Sequence, residues 1–275
     1  MKVVFDVGGS HMRVGVSENG RDVLQVSDLV TPAAVSDGLQ QLVETGKKLA
    51  GAEKITVAAG GIAGVWDRER NKLLGSPNLS GWVDYPIKET LSTGWGVPVN
   101  LENDAAVGAL GESVFGAGEG KRIVAYLAVG TGVGGARVVD QKIDENFLGF
   151  EPGHQIIQIT SSKSQEPSSS RTLEELVGGR NLEKKYGKKA DEIQDPWVWE
   201  EVSGYLAAGV VNTILMWSPD IVILGGAVIK SLGWDFFVQE VSKHLRVYPW
   251  VPPIVRGKLE NRAGLYGGLA LLVDK

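Results

Sequence analysis

Short apolar runs that end in glycine pairs organise this sequence. Residues 2–7, 12–16 and 23–29 read as strands, with Gly8-Gly9-Ser10 turning between the first two and Asn19-Gly20, a strong hairpin dipeptide, between the second and third. A helical pattern follows. Leu39, Leu42, Val43, Leu49 and Ala50 fall on one face, Ser36 is placed to cap the start and Gly51 to end it. Residues 54–59 form another strand, ending at Gly60-Gly61.

The same series then returns. Residues 123–129 and 136–139 are strands around Gly130-Thr131-Gly132-Val133-Gly134-Gly135, and residues 155–160 supply a third. Residues 202–217 make a helix stopped near Pro219, and residues 220–224 a strand ending at Gly225-Gly226. Between the repeats lie a strand at 97–101 and a helix at 105–114, opened by Asn103-Asp104 and stopped near Gly116. Strands alternating with helices predict an α/β fold, and the hairpins predict mixed rather than all-parallel sheets. The internal duplication is the best clue to architecture. It predicts a small lobe, residues 1–104, with a C-terminal helix within 262–275 packing back on it, and a larger lobe, 105–261. The larger lobe carries an insertion at 145–198 that includes the polar serine-rich stretch 161–170.

Composition sharpens this at one point. Glycine makes up 37 of 275 residues, about twice the roughly 7% average, and much of the excess stands in pairs after apolar runs. Glycine lets a backbone approach a ligand closely, and successive N–H groups in such turns form anion-binding concavities. Two such turns facing each other point to a phosphate held between two lobes, although either turn alone also fits a tight hairpin. The net charge of −5, with no sustained Lys/Arg stripe, argues against a nucleic-acid partner. No apolar stretch approaches the length of a membrane span, and the first strand starts at the N-terminus without a signal peptide, so the expectation is a cytoplasmic protein with no membrane partner. The absence of cysteine excludes disulfides and thiolate metal sites.

Four segments carry a resemblance: Asp6-Val7-Gly8-Gly9-Ser10, Glu102-Asn103-Asp104-Ala105, the run from Gly130 to Gly135, and Glu151-Pro152-Gly153-His154. Together they resemble the ROK family of sugar kinases, within the actin/hexokinase/Hsp70 fold superfamily, and Gly225-Gly226 matches that superfamily's adenosine segment. Each motif is weak alone, but their order and spacing over nearly the whole chain are specific. The resemblance implies a duplicated actin-like, ribonuclease H-like fold: two lobes with mixed five-stranded sheets flanked by helices. It implies ATP-dependent phosphorylation of a hexose hydroxyl, with ATP and Mg²⁺ as cofactors, a small-molecule sugar as partner and a homodimer as a common assembly.

The residue roles that follow are those of the family. Asp6, Gly8, Gly9 and Ser10 would form the first phosphate segment, with Asp6 acting through Mg²⁺. Gly130, Thr131, Gly132 and Gly134 would form the second, and Gly225 and Gly226 would approach adenosine. Asp104 would take the proton from the attacking sugar hydroxyl, at a helix start that favours its ionised form. Asn78, Asn103, Asp104, Glu151, His154 and Glu174 would hold the sugar. Read without the family, Asn103-Asp104 is an ordinary helix cap and His154 a buried histidine bonded to a carbonyl. Many members follow the Glu-x-Gly-His element with a cysteine-rich zinc loop. Here the serine stretch takes its place, so no structural zinc is expected. Trp66 and Trp82 fall near the expected cleft, with core packing preferred over stacking on a sugar.

Two rival readings remain. One is a non-catalytic sugar sensor, as in the family's transcriptional repressors, which carry an N-terminal DNA-binding domain where this chain starts at its first strand. The other is an actin-like ATPase indifferent to sugar. The sequence does not name the sugar: glucose is the default expectation, that of a glucokinase-like kinase, but the same hydroxyl ligands could serve fructose, mannose, allose or an N-acetylated hexosamine.

Overall fold

The computed structural model describes residues 1–159 and 170–273. The first half runs β1 (Lys2–Val7), β2 (His11–Ser17), β3 (Gln25–Val30), α1 (Val35–Ala50), β4 (Val57–Ile62), a small hairpin of β5 (Val65–Trp66) and β6 (Leu73–Gly75), α2 (Ile87–Trp95), β7 (Val99–Glu102) and α3 (Asp104–Phe115). The second half runs β8 (Ile123–Val129), β9 (Val133–Val139), β10 (Lys142–Ile143), β11 (Ile156–Ile159), β12 (Ser170–Thr172), α4 (Leu173–Val177), α5 (Gly179–Tyr186), α6 (Pro196–Trp217), β13 (Ile221–Gly225), α7 (Val228–Ser231), α8 (Trp234–His244), β14 (Ile254–Arg256) and α9 (Ala263–Ala270). One sheet has the order β3-β2-β1-β4-β7 and the other β10-β9-β8-β13-β14. In both, the first three strands are antiparallel and the last three parallel. The duplicated α/β architecture with mixed five-stranded sheets is therefore the one observed.

The central strands are buried on both faces because each sheet is sandwiched between helices. Val3, Phe5 and Val7 pack with Leu39 and Leu42 of α1 and with Ile87 and Leu91 of α2, whereas Val4 points the other way, to Leu265 and Leu269 of α9. In the second sheet Leu127 and Val129 meet Leu206 and Val210 of α6, whereas Val124 and Tyr126 meet Ala106, Ala109 and Leu110 of α3. Helices α3 and α9 thus lie between the sheets. They touch backbone to backbone: a Cβ on Gly111 would strike the Ala263 carbonyl, and one on Gly267 the Val107 carbonyl. Each fully buried aliphatic side chain contributes ~1.5–3 kcal/mol, so packing rather than helix propensity holds α3 in place.

Several boundaries differ from the sequence reading, each for a physical reason. Ser36 does not cap α1: the helix starts after Ala34, and the Ser36 hydroxyl bonds Asp37. Gly60 and Gly61 lie inside β4, opposite Phe5 and Asp6 of β1. A Cβ on Gly61 would come within 2.7 Å of the Asp104 Cα, so this glycine admits the start of α3 to the sheet. Residues 156–159 do not extend the second sheet. They pair with β12 in a separate two-stranded sheet, and the third strand of the main sheet is the short β10. Helix α6 starts at Pro196 rather than 202, because Asp195 caps it (Trp197 N–H to Oδ1, 3.0 Å) and Val198 and Trp199 join the core. The serine stretch lies, apart from Ser170 at the start of β12, outside the described residues, as does the end of the predicted C-terminal helix beyond 273. Trp66 and Trp82 are core residues, with their indole N–H groups on the Ile62 and Pro32 carbonyls. Among the described residues no helix is long and apolar enough to cross a membrane.

Candidate active site

A cavity of about 660 Å³ opens between the two halves and is lined from both. Asp6 at the end of β1 and Gly8 and Gly9 beyond it form one side. Gly130, Thr131 and Gly132, which join β8 to β9, and Gly134 of β9 form another. Among the described residues the amide groups of Gly9, Thr131 and Gly132 have no hydrogen-bond acceptor, and N–H groups in such turns can meet an anion. The second turn is pinned from behind: Gly130 and Thr131 carbonyls accept from Gly179 and Arg180 at the start of α5, at 2.8 and 3.0 Å.

Asp104 opens α3 on the floor of the same cavity. Burial raises its carboxyl to about 7, the charges of Asp6 and Glu151 push the same way, and N–H groups of Ala105 and Asp104 itself oppose them. Burial raises Asp6 to about 6, against the pull of Arg13. The Arg13 guanidinium stands 3.7 Å from Asp6 and 2.8 Å from Asp28, directly across the β1–β2 and β2–β3 ladders. Asn103 is the helix cap: its Oδ1 accepts from Ala106 N–H at 3.1 Å and its amide donates to the Gly64 carbonyl at 3.1 Å. The capping reading and the cavity position therefore hold together for this residue.

Glu151 precedes and His154 ends a one-turn 3₁₀ segment, Pro152–His154, and both line the cavity. Pro152 and Gly153 are buried against β9, which aims the pair inward, and His154 is exposed rather than buried. Glu151 is exposed as well, but partial desolvation in the cavity raises its carboxyl above the usual value, opposed by His154 and reinforced by Glu174. Glu174 lines the cavity but also shapes the second glycine turn: its Oε2 accepts from Val133 N–H at 2.7 Å, and a Cβ on Gly132 would collide with its carboxylate. It is positioned by α4, whose start is closed by a reciprocal Thr172–Glu175 capping box. Asn78 lines the cavity beside Gly9, whose absent Cβ leaves it room.

Two expected residues stand apart from the lining. Ser10 is exposed and its carbonyl accepts from Thr31 N–H, and Gly225 gives its space to the Tyr126 ring; of the Gly225-Gly226 pair only Gly226, at φ 95°, reaches the cavity. Conversely, Arg13, Tyr126, Phe150, Glu260 and Asn261 line it without having been singled out. Arg13 had a signal, a lone charge inside an apolar strand; the others had none, since only the tertiary fold brings them there.

As to a metal, among the described residues no group of three or more His, Cys, Asp or Glu is placed to hold one by itself. Asp6 is a partly buried hard-oxygen donor on the cavity wall, which suits Mg²⁺, an ion usually held by one or two carboxylates together with substrate phosphates and water.

Known proteins resemble this chain in sequence and fold. A glucokinase of Streptomyces coelicolor is 26% identical over 314 aligned positions, covering 98% of this chain and 97% of its own length. A ROK hexokinase of Thermus thermophilus superposes with a TM-score of 0.80 at 28% identity, over 98% of this chain and 96% of that one. A ROK glucokinase of Streptomyces griseus, solved with glucose and AMPPNP, shares the fold with a TM-score of 0.81 at 24% identity, over 98% of both chains. A family model described as ROK family matches residues 3–275, the stretch that holds both glycine turns, Asp104 and the Glu151–His154 pair, and the chain therefore belongs to the ROK family.

Proposed function

We propose that this protein is an ATP-dependent hexose kinase. The observation that carries the reading is the placing of Asp104, a carboxyl raised to about 7, on the floor of a cavity whose walls are two amide-bearing glycine turns and a set of polar side chains, Asn78, Asn103, Glu151, His154 and Glu174. A carboxyl near neutrality suits a general base, which must be ionised at working pH yet still gain a proton readily. Asp104 would take the hydroxyl proton as the sugar oxygen bonds to the γ-phosphorus and the bond to ADP breaks. Bound Mg²⁺ would supply charge neutralisation for the phosphates. Asp6 would hold it, and its positive charge would draw both Asp6 and Asp104 toward their ionised forms.

The remaining residues orient and enclose. Gly8, Gly9, Gly130, Thr131 and Gly132 would present backbone to the phosphates, with Gly226 toward the adenosine. Asn78, Asn103, Glu151, His154 and Glu174 would fix the sugar, Glu and His offering the acceptors and donors that neighbouring hydroxyls need. The relatives named glucokinase and hexokinase support the hexose class, and the AMPPNP complex of one of them supports ATP. A coupled ADP-release assay over a panel of hexoses tests the reading. Sugar-dependent ADP release that Asp104→Asn abolishes in a folded protein is the expected result. Sugar binding with no turnover would instead favour a sensor, and turnover indifferent to sugar an ATPase.

A further inference from the structure

Glu112 is a buried acid that the chemistry above leaves unused. It sits in the last turn of α3, where a carboxylate meets the unfavourable end of the helix dipole, and it is 1% exposed. A carboxylate is tolerated there only if donors replace its lost water. Three do: Oε2 accepts from Ala117 N–H at 2.9 Å and Lys258 N–H at 3.1 Å, and Oε1 from Leu259 N–H at 2.8 Å. Ala117 lies just past α3, whereas Lys258 and Leu259 belong to the turn between β14 and α9. Glycines clear the space: a Cβ on Gly257 would come within 2.7 Å of Oε1, and one on Gly116 would strike Oε2.

That turn leads straight into the cavity wall. Glu260 follows in the left-handed region at φ 51°, and Glu260, Asn261, Ala263 and Gly264 all line the cavity. Glu260 also reaches Lys230 of α7, the helix that follows Gly226, at 3.8 Å. This is the part of the cavity that the kinase reading gives to the nucleoside. We infer that Glu112 is a positioning residue for the nucleotide: by tying residues 257–259 to the end of α3, it fixes the wall that Glu260 and Asn261 present to the nucleoside, while touching no substrate itself. The inference rests on the nucleotide reading of this cavity.

Two variants of the chain test it. Glu112→Gln removes the charge and one acceptor; Gly257→Ala keeps the carboxylate but pushes against it. ADP affinity by calorimetry and the two substrates' KM values are the readouts. Both variants should weaken ADP and raise the KM for ATP about tenfold, with the sugar KM within about twofold of wild type. Equal losses for both substrates, or a lower Tm with ADP affinity unchanged, would make Glu112 a brace of the fold alone and overturn the inference. If Glu112→Gln does not fold, Gly257→Ala decides: unchanged ADP affinity overturns it. A wild type that binds ADP but phosphorylates no sugar sinks the kinase reading while leaving this one measurable, and a wild type that binds no ADP overturns both.

Discussion

The two halves of the molecule share a skeleton and differ in what they hang on it. β1 and β8 each end in a glycine turn and reverse into an antiparallel neighbour. In the first half the residue before the last of the strand is Asp6, paired across the ladder with Arg13; in the second it is Ala128, paired with Gly134. The helices after the parallel strands differ likewise: α3 opens at Asn103-Asp104, whereas α9 begins Ala263-Gly264, and a Cβ on Gly264 would press on Asp6. At these equivalent places one half thus supplies ionisable groups and the other bare backbone, while the second half adds Glu151, His154 and Glu174 from elsewhere in its chain. A second set of carboxylates at the equivalent places would face Asp6 and Asp104 at close range and raise their proton affinities further, so the asymmetry keeps a usable base.

The largest test of that asymmetry is Asp104→Asn. Loss of the base should lower kcat by about 10²–10⁴-fold, measured by coupled ADP release. The same substitution should stabilise the protein in alkaline buffer. The Asp104 carboxyl titrates at about 7 when folded and at 3.8 when freely hydrated, as in the unfolded chain, so the folded chain holds the extra proton between those values. Stability due to this group therefore falls as pH rises from about 4 to about 7. Above pH 7 the variant should exceed wild type by roughly 2–4 kcal/mol, read as a higher Tm that converges on wild type near pH 4. Wild-type kcat/KM should climb through the neutral range as Asp104 ionises.

Asp6→Ala makes the first half resemble the second. It should cost ~10–100-fold in Mg²⁺-dependent kcat/KM, with the Mg²⁺ requirement shifted upward; unchanged Mg²⁺ dependence would remove Asp6 from the metal's site. Gly61→Ala places a methyl against the Asp104 Cα and should destabilise by about 1–3 kcal/mol, measured by chemical denaturation. Activity should fall with it, since Asp104 must move. The smallest change is Arg13→Ala. Arg13 holds the Asp6 carboxyl down, so its removal should raise the Asp6 titration above about 6 and move the acid limb of activity the same way.

Patterns local in sequence were legible. The apolar run and glycine turn at residues 3–9 and its echo at 123–132 identify strands that reverse, because a buried strand and a tight turn each carry their own signature. Asn103 was readable as a cap for the same reason, and the family motifs led to Asp104, Glu151 and His154, all on the cavity wall. Gly60-Gly61 misled because a glycine pair ordinarily ends a strand, whereas here Gly61 makes room for a helix that arrives some forty residues later and Gly60 lies against Phe5. The strand at 156–159 misled because an edge hairpin and a sheet strand share one pattern.

By itself, then, the chain's sequence determined the duplicated α/β architecture, the positions of both glycine turns and the motif residues, since these depend on neighbours a few positions away. The tertiary structure decided which groups share a low-dielectric space. Burial and the approach of Asp6 and Glu151 raise Asp104, Glu174 ends up bracing the second turn, Gly225 yields to Tyr126, and Glu112 finds its amides in a turn far along the chain. Those properties follow from long-range packing, in which a residue's chemistry is set by partners that no local pattern names.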